Sequence, residues 1–337
     1  MENVHHLKRE SVSVVFSFRN EEEVIPELVR RLHAALEPTG VSYEFIFVND
    51  DSTDRSIEVL TDLRETDSTI KIVNMSTRFG VNPCFLAGMR YATGDAVITL
   101  DTDLQDPPEI LPEMIEKWRA GADVVNMTRT AREGESGIKL FITGTAYRIL
   151  GKMCDIDLPV DTGMFKLMSR PVVDTLTSFN EVDPFLRGLI TWAGYKQTSI
   201  QYKRGGRFAG ETHFPLFTKE PWLVFVRGLL SFSRVPLAAI VGLGGIIAVL
   251  SLLAILFTPI AWLFGGSTAY LGYAVLTFIG GAQLFATGIV GLYLSRTYAQ
   301  VRQRPEYVVA STAGFEEAAV APPFEPEVIA HTLSSPH

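Results

Sequence analysis

Residues 95–109, "DAVITLDTDLQDPPE", combine an apolar strand-like run with a dense group of carboxylates. The apolar part ends at Asp101, and Asp103 and Asp106 follow before a pair of prolines. Like charges at this spacing repel one another unless a cation or water lies among them, and the prolines oppose a helix that would spread them apart. The stretch therefore predicts a β-strand that ends in a functional site.

The rest of the first 130 residues repeats this strand pattern in alternation with helical patterns. Such an order predicts an α/β fold with a mostly parallel sheet and helices on both faces. Ser52 or Thr53 is expected to cap the second helix. The predicted strands are 11–18, 43–50, 70–76 and 95–101, and the predicted helices are 21–37, 52–67 and 82–93.

Polar clusters follow three of these strands. In parallel sheets, ligands bind beyond the carboxyl ends of the strands, so the three clusters are expected to meet in one crevice. Asn and Asp also favour ordinary turns, which is the alternative for any one cluster, but three successive clusters favour a site. They are Arg19, Asn20 and Glu21, then Asn49, Asp50 and Asp51, then Asp101 to Asp106.

A long uncharged stretch follows the predicted α/β part. No charged residue occurs from Val235 to Ser295, and a membrane-spanning helix needs about 20 apolar residues. This predicts two transmembrane helices near 236–258 and 273–294, with a pair of buried helices in a soluble core as the alternative. Arginines flank the stretch on both sides, so both termini are expected in the cytoplasm, at the inner membrane.

Composition divides the remaining chain. Residues 1–212 are assigned to the catalytic domain, 213–234 to an interfacial amphipathic helix, and 235–296 to the membrane helices. The alternative for 213–234 is a plain surface helix. Residues 305–337 hold five glutamates and no Lys or Arg, and they are predicted to form a disordered acidic tail. The formal net charge of −8 argues against nucleic acid as a partner.

The Asp-x-Asp pattern at a strand end is typical of a site for a hard cation. Mg²⁺ and Mn²⁺ take carboxylate oxygens and complete their coordination with substrate phosphates. Cys84 and Cys154 have no metal-binding spacing and are interpreted as packing residues of a reducing compartment. The predicted cofactor is therefore Mg²⁺ or Mn²⁺, and zinc is not expected.

Four motifs in order carry a resemblance to a known family. They are "VVFSFRNEEE" (14–23), "FVNDDSTD" (47–54), "LDTDLQDPPE" (100–109) and "RFAGETH" (207–213). Together with the two predicted membrane helices, they resemble the family 2, GT-A fold (Rossmann-like) polyprenyl phosphate glycosyltransferases. That group includes dolichol phosphate mannose synthase and the bactoprenol glucosyl transferases, and the resemblance extends from residue 11 to about residue 308.

The resemblance implies a role for particular residues. It implies nucleotide-sugar binding by Asn20, Glu21, Asp50 and Asp101, metal binding by Asp101, Asp103 and Gln105, and lipid-phosphate binding by Arg129, Lys139 and Thr143. Arg207, in a mobile loop with Gly210 and Thr212, would close over the donor and act in catalysis with Asp101 and Asp103. A homo-oligomer is also implied, tetrameric in the bactoprenol relatives, with membrane helices packed through Gly242, Gly244, Gly245, Gly280 and Gly281.

This sequence departs from the family pattern at several positions. Asp51 stands where relatives usually have a turn glycine. Met164 and Lys166 replace an acidic or small residue and an arginine, and His213 replaces a common lysine. Lys lacks the planar fork with which Arg binds phosphate. These changes therefore bear on the sugar and lipid preference more than on the type of reaction.

The predicted function is inverting transfer of a hexose to a polyprenyl phosphate, such as undecaprenyl phosphate, at the cytoplasmic membrane face. Glucose from UDP-glucose is the favoured donor, and a GDP-mannose-dependent mannosyltransferase is the alternative. A processive polysaccharide synthase is disfavoured because the chain has no Gln-x-x-Arg-Trp string. An inactive, membrane-anchored binding protein of the same fold is the alternative outside enzymes.

Overall fold

The structure is a computed structural model that describes residues 10–131, 162–205, 235–263 and 269–315. Within these residues, eight strands form one sheet in the order β7-β5-β6-β4-β1-β2-β3-β8. The strands are β1 (Ser11–Phe18), β2 (Ser42–Asn49), β3 (Ile70–Met75), β4 (Ala96–Asp101), β5 (Val124–Ala131), β6 (Thr162–Ser169), β7 (Gln197–Lys203) and β8 (Val309–Ala313).

Helices connect the strands and cover both faces of the sheet. Strands β1 to β4 are mutually parallel, whereas β6 and β8 run antiparallel to their neighbours. The predicted α/β class with a mostly parallel sheet is therefore confirmed. The helices are α1 (Ile25–Leu36), α2 (Ser56–Thr66), α3 (Val81–Tyr91), α4 (Leu111–Arg119), α5 (Arg170–Ser178), α6 (Leu186–Trp192), α7 (Val235–Leu263) and α8 (Ala269–Val301).

The β-branched and aromatic runs of the central strands supply two apolar cores, one on each side of the sheet. On the side of α1, Phe16 stacks on Phe47 with ring centroids 4.6 Å apart. On the other side, α3 approaches β1 so closely that a Cβ atom at Gly88 would lie 2.2 Å from Cγ1 of Val15. The tightly packed sheet gives the strand ends fixed positions.

The predicted cap of the second helix is wrong. Helix α2 begins at Ser56, later than a cap at Ser52 or Thr53 would place it. The hydroxyl of Ser52 accepts a hydrogen bond from the backbone N–H of Asn20, 3.1 Å away, and that of Thr53 contacts the amide of Asn20. Both hydroxyls therefore join two loops instead of capping the helix.

The predicted disorder of residues 305–337 is wrong for their first part. Strand β8 lies inside this range and pairs with the outer edge of β3. Tyr307 is 2% exposed within the core on the α3 side. A free sheet edge supplies the hydrogen bonds that order this short strand, so composition alone misses it. Residues 316–337 lie outside the described residues.

Two long helices follow the α/β part, as predicted. Within the described residues, one stretch is long and apolar enough to cross a membrane, Phe278–Val301 of α8, and its most apolar part has no buried residue. Pro236–Ile247 of α7 is a shorter apolar stretch. Both predicted helices are therefore present, whereas passage of the pair across a membrane stays a prediction. The proposed interfacial segment, 213–234, lies outside the described residues.

Candidate active site

The predicted polar clusters lie at one edge of the sheet. Strand β1 lies between β4 and β2, and the register places Ser17 opposite Asp101 and Phe18 opposite Asn49. Because the three strands are parallel, the loops that leave their carboxyl ends start side by side. The structure thus brings together three clusters, the first and last of which lie at least 80 residues apart in the sequence.

The loops after β1 and β2 hold each other through Asn20. Its side-chain oxygen accepts a hydrogen bond from the backbone N–H of Thr53 at 2.8 Å, and its backbone has a left-handed φ of 57°. The next residue, Glu21, is 8% exposed, and its backbone N–H donates to the hydroxyl of Ser56 at 2.8 Å. These contacts form a rigid rim at the end predicted to bind the nucleotide.

Asp50 and Asp51 have different roles in this rim. The buried carboxylate of Asp50 accepts hydrogen bonds from the backbone N–H groups of Phe79 at 2.7 Å and Gly80 at 3.1 Å. It therefore fixes the turn that leads into α3. Asp51 has a φ of 60°, a conformation that favours glycine, as expected for the position where the family pattern has a turn glycine.

Asp101 and Asp103 lie at the end of β4 in a tight turn. The N–H of Gln105 donates to Oδ1 of Asp103 at 3.1 Å, and Leu104 between them has a left-handed φ of 55°. Burial, together with the neighbouring charges of Asp103 and Asp106, raises the pKa of Asp101 to about 7. Such crowding of carboxylates is what a bound cation would relieve.

The third carboxylate, Asp106, faces a cationic cluster instead. It is 1% exposed and accepts a hydrogen bond from the hydroxyl of Tyr202. Nε of Arg204 lies 3.3 Å from its Oδ1, and Nη2 of Arg129 lies 3.6 Å from its Oδ2. We call Asp106, Arg129, Tyr202 and Arg204 the arginine cluster.

The arginine cluster reaches back to the carboxylate pair. Nη2 of Arg204 lies 3.8 Å from Oδ2 of Asp103, and Nε of Arg129 donates to the hydroxyl of Tyr202 at 3.1 Å. A Cβ atom at Gly163 would lie 2.9 Å from Nη2 of Arg129, so the glycine leaves room for this guanidinium. Two guanidinium groups therefore stand beside the Asp-x-Asp pair, where an anionic substrate could bridge them.

The donor atoms fit a divalent cation that is completed by its substrate. Within the described ranges, no group of three or more His, Cys, Asp or Glu is arranged to hold a metal by itself. Asp101 and Asp103 supply two carboxylates, whereas Asp106 is taken up by the arginine cluster. Mg²⁺ and Mn²⁺ commonly bind through one or two carboxylates plus substrate phosphates, which agrees with this arrangement.

Lys166 is a buried cation behind this site. Its side chain is 1% exposed, and its amine donates to the side-chain oxygen of Asn126 on the adjacent strand β5. It also lies opposite Thr99 of β4, two residues before Asp101. Burial, and secondly the charge of Arg187, lower the pKa of Lys166 to about 7.

Several predicted site residues cannot be placed. Arg207, Lys139 and Thr143 lie outside the described residues, as does the rest of the predicted mobile loop. Sequence reasoning missed Tyr202 and Arg204, which β7 brings to the carboxylates. The only sequence signal was their position shortly before the "RFAGETH" motif.

Comparisons with known proteins identify the family of this chain. Residues 13–177 match the family described as Glycosyl transferase family 2. An uncharacterized glycosyltransferase, sll0501, of Synechocystis is 40% identical over 90% of this chain and 96% of its own length. The chain belongs to glycosyl transferase family 2. It is therefore a glycosyltransferase.

The chain is also similar to a second curated protein and to a solved structure. A prophage bactoprenol glucosyl transferase homolog of Escherichia coli is 33% identical over 88% of this chain and 98% of its own length. Glucosyl-3-phosphoglycerate synthase of Mycobacterium tuberculosis, solved with Mn²⁺, uridine diphosphate and phosphoglyceric acid, is 19% identical over 66% of this chain and 76% of its own, with a TM-score of 0.49.

Proposed function

We propose that this glycosyltransferase transfers a hexose to a polyprenyl phosphate, with UDP-glucose as the first candidate donor and undecaprenyl phosphate as the first candidate acceptor. One observation carries the proposal: the Asp101 and Asp103 pair ends a buried strand of a chain that also has two long helices without a charge from Val235 to Ser295. The name of the E. coli relative, a bactoprenol glucosyl transferase homolog, supports a lipid acceptor.

Asp101 and Asp103 would hold Mg²⁺ or Mn²⁺, with Gln105 beside them. When bound, the cation neutralises the diphosphate that leaves with the nucleotide. Asn20, Glu21 and Asp50 would position the nucleotide, since they form the rim next to β4.

The arginine cluster would receive phosphate groups. Arg204 stands next to Asp103 and would contact the donor diphosphate, whereas Arg129 lies at the end of β5 and would bind the lipid phosphate. Asp106 and Tyr202 hold both guanidinium groups in place, which reduces the ordering needed when a phosphate arrives. Lys139, Thr143 and Arg207 are proposed from the resemblance alone.

The reaction needs little proton transfer from the protein. A phosphate monoester is already an anion at pH 7, so its oxygen can attack the anomeric carbon without a strong general base. The bond from that carbon to the nucleotide diphosphate breaks as the new bond forms. Direct in-line attack inverts the carbon and gives a β-linked product from an α-linked donor.

The two long helices would anchor the enzyme at the cytoplasmic membrane face. Arg227 and Arg234 precede the uncharged stretch, and Arg296 and Arg302 follow it, which favours both termini in the cytoplasm. We further propose a homo-oligomer that packs through helix glycines. Among the described residues, no atom lies within 4 Å of their Cβ positions, which supports room for a neighbouring helix at Gly242, Gly244, Gly245, Gly280 and Gly281.

The test is a transfer assay with purified protein and undecaprenyl phosphate. Labelled UDP-glucose and GDP-mannose are supplied separately, with Mg²⁺, Mn²⁺ or EDTA. Asp103→Asn is compared with Asp62→Asn, which changes an exposed aspartate of α2. We expect metal-dependent transfer that falls at least about a hundredfold in Asp103→Asn and is unchanged in Asp62→Asn.

The donor that reacts decides between glucose and mannose. Transfer that persists in EDTA would remove the metal from the mechanism. Absence of transfer from both nucleotide sugars, by folded protein with lipid present, would overturn the proposed reaction and favour the inactive binding protein.

A further inference from the structure

The segment after α8 returns to the catalytic domain at its nucleotide side. Strand β8 pairs antiparallel with β3, and the register places Ser311 opposite Asn74. The carbonyl of Val308 accepts from the N–H of Ser76 at 2.9 Å. The hydroxyl of buried Tyr307 accepts from Nη1 of Arg90 at 3.2 Å. These contacts attach the end of the long helix to the edge of the sheet.

Side chains continue this attachment toward the site in one chain of hydrogen bonds. The amide nitrogen of Asn74 donates to the hydroxyl of Ser311 at 3.0 Å. The amide nitrogen of Asn49 donates to the amide oxygen of Asn74 at 3.2 Å. The amide oxygen of Asn49 accepts from the backbone N–H of Ser52 at 2.9 Å. Each amide therefore donates toward β8 and accepts from the site side.

The chain of hydrogen bonds ends in the turn that forms the nucleotide rim. Ser52 follows Asp51, whose φ of 60° is unfavourable for a residue with a side chain. The hydroxyl of Ser52 also accepts from the N–H of Asn20, so this one residue joins the Asn49 amide to the opposite loop. A strained turn keeps its conformation only where its surroundings hold it, and the Asn49 amide is one of those contacts.

We propose that Asn74 and Ser311 are positioning residues for the nucleotide end of the donor site, so that the strand after α8 is needed for tight donor binding. This inference rests on the proposed function of the same rim. Loss of either residue loosens the turn at Asp51 and leaves the carboxylates of β4 in place. Donor binding weakens as a result, whereas the chemical step of bound donor does not change.

Four variants of the full chain test this proposal. Ser311→Ala and Asn74→Ala remove the contact, and Ser311→Thr retains the hydroxyl on a residue suited to a strand. Thr312→Ala is the matched control, because Thr312 is the next residue of β8 and makes no side-chain hydrogen bond within the described part of the chain. Donor KM and kcat are measured by transfer, the Kd of UDP and of GDP by calorimetry with Mg²⁺, and Tm is recorded for each variant.

We expect Ser311→Ala and Asn74→Ala to raise donor KM and nucleotide Kd about threefold to tenfold, the contribution of one ordinary hydrogen bond. Their kcat and acceptor KM should stay within about twofold of wild type, as should every constant of Ser311→Thr and Thr312→Ala. Unchanged donor KM and nucleotide Kd in both contact-removing variants would overturn the proposal. So would equal effects in Thr312→Ala, because those would follow from general loosening of β8.

The design separates this inference from the proposed function. If the wild type binds a nucleotide but transfers no sugar, the proposed function fails, and the nucleotide Kd values still decide the role of Asn74 and Ser311. If the wild type binds neither nucleotide, both fail.

Discussion

Carboxylates at the two ends of the parallel sheet have opposite pKa shifts, because their surroundings differ. Where the strands begin, the carboxylate of Glu44 accepts hydrogen bonds from Ser13 and from the N–H and hydroxyl of Thr93, and it pairs with Lys71. Burial alone would raise the pKa of Glu44, but the hydrogen bonds from Lys71 and Ser13 lower it overall. This carboxylate is stable as an anion in the folded protein.

Where the strands end, three carboxylates lie close together, and the pKa of one of them is raised. Asp101, Asp103 and Asp106 share two arginines, and burial with like charges raises the pKa of Asp101. Oδ2 of Asp106 accepts no hydrogen bond from any residue in the described ranges. A folded protein rarely leaves such groups incomplete unless something else binds there. The contrast supports the proposal that the strands' carboxyl ends form a ligand site, whereas Glu44 stabilises the opposite end of the sheet.

The largest expected difference in unfolding free energy comes from neutralising one carboxylate at each end of the sheet. Glu44→Gln leaves Lys71 without its charge partner, and breaking such a largely buried pair should cost about 3 kcal/mol of unfolding free energy. Asp101→Asn relieves repulsion and, in EDTA, should leave stability unchanged or raise it by about 1 kcal/mol. Chemical denaturation of the purified protein in EDTA measures both.

The pH dependence of Glu44→Gln sharpens this prediction. Because the pKa of Glu44 is lowered in the folded state, its contribution is present above the unfolded value of 4.5 and is lost as pH falls through the folded pKa. The stability gap between wild type and Glu44→Gln should therefore narrow below about pH 4.5. Equal destabilisation by Asp101→Asn and Glu44→Gln would erase the distinction between the two ends.

The sequence was informative where a pattern is local. Strands β1 to β4 stand out as apolar runs that alternate with helices, and the rule for parallel sheets then places Asp101, Asp103 and Asp50 at one edge. Contacts between distant segments gave no such signal. The hydroxyl of Ser52 accepts a hydrogen bond from the backbone N–H of Asn20 and does not cap the helix, so that prediction was wrong. Strand β8 is ordered by pairing with the edge of β3.

The arginine cluster illustrates the same limit. Arg204 meets Asp106 across a separation of 98 residues, and only the pairing of β7 with β5 brings it there. From sequence alone, a basic residue that follows a short strand cannot be distinguished from a solvated surface residue. The resemblance supplied Arg129, whereas Tyr202 and Arg204 required the structure.

Substitution of Lys166 should have an intermediate effect on unfolding free energy. Its result tests whether this residue supports the fold, as Glu44 does, or belongs to the proposed site. Lys71 has a carboxylate partner, whereas the amine of Lys166 donates a hydrogen bond to the neutral amide of Asn126. Since its pKa is lowered to about 7 in the folded state, the unfolded chain binds one more proton above that value. Stability of the wild type should therefore rise with pH from about 7 toward the ordinary lysine pKa of 10.5.

Lys166→Met removes this buried cation and retains the length of the side chain. We expect a gain of about 2 kcal/mol in unfolding free energy at pH 7, which shrinks toward pH 10. Urea titrations of both proteins at several pH values measure the difference. A loss of stability at every pH would show that the amine completes a network, as Glu44 does. A gain accompanied by loss of transfer would assign Lys166 to the site.

The smallest expected effect comes from a matched pair of tyrosines, one at each end of the sheet. The hydroxyl of Tyr202 joins Arg129 to Asp106, and the hydroxyl of Tyr43 joins His33 near the beginning of β2. Tyr202→Phe and Tyr43→Phe each delete one hydroxyl, so each should cost about 1 kcal/mol of unfolding free energy.

If Tyr202 orients Arg129 for the lipid phosphate, Tyr202→Phe should also raise acceptor KM about fivefold and leave donor KM unchanged, whereas Tyr43→Phe should change neither. Steady-state transfer kinetics with each substrate varied in turn separate the two. Equal kinetic effects from the two tyrosines would mean that the hydroxyl at the site end serves only packing, and Arg129 would then need no orientation by Tyr202 to bind its phosphate.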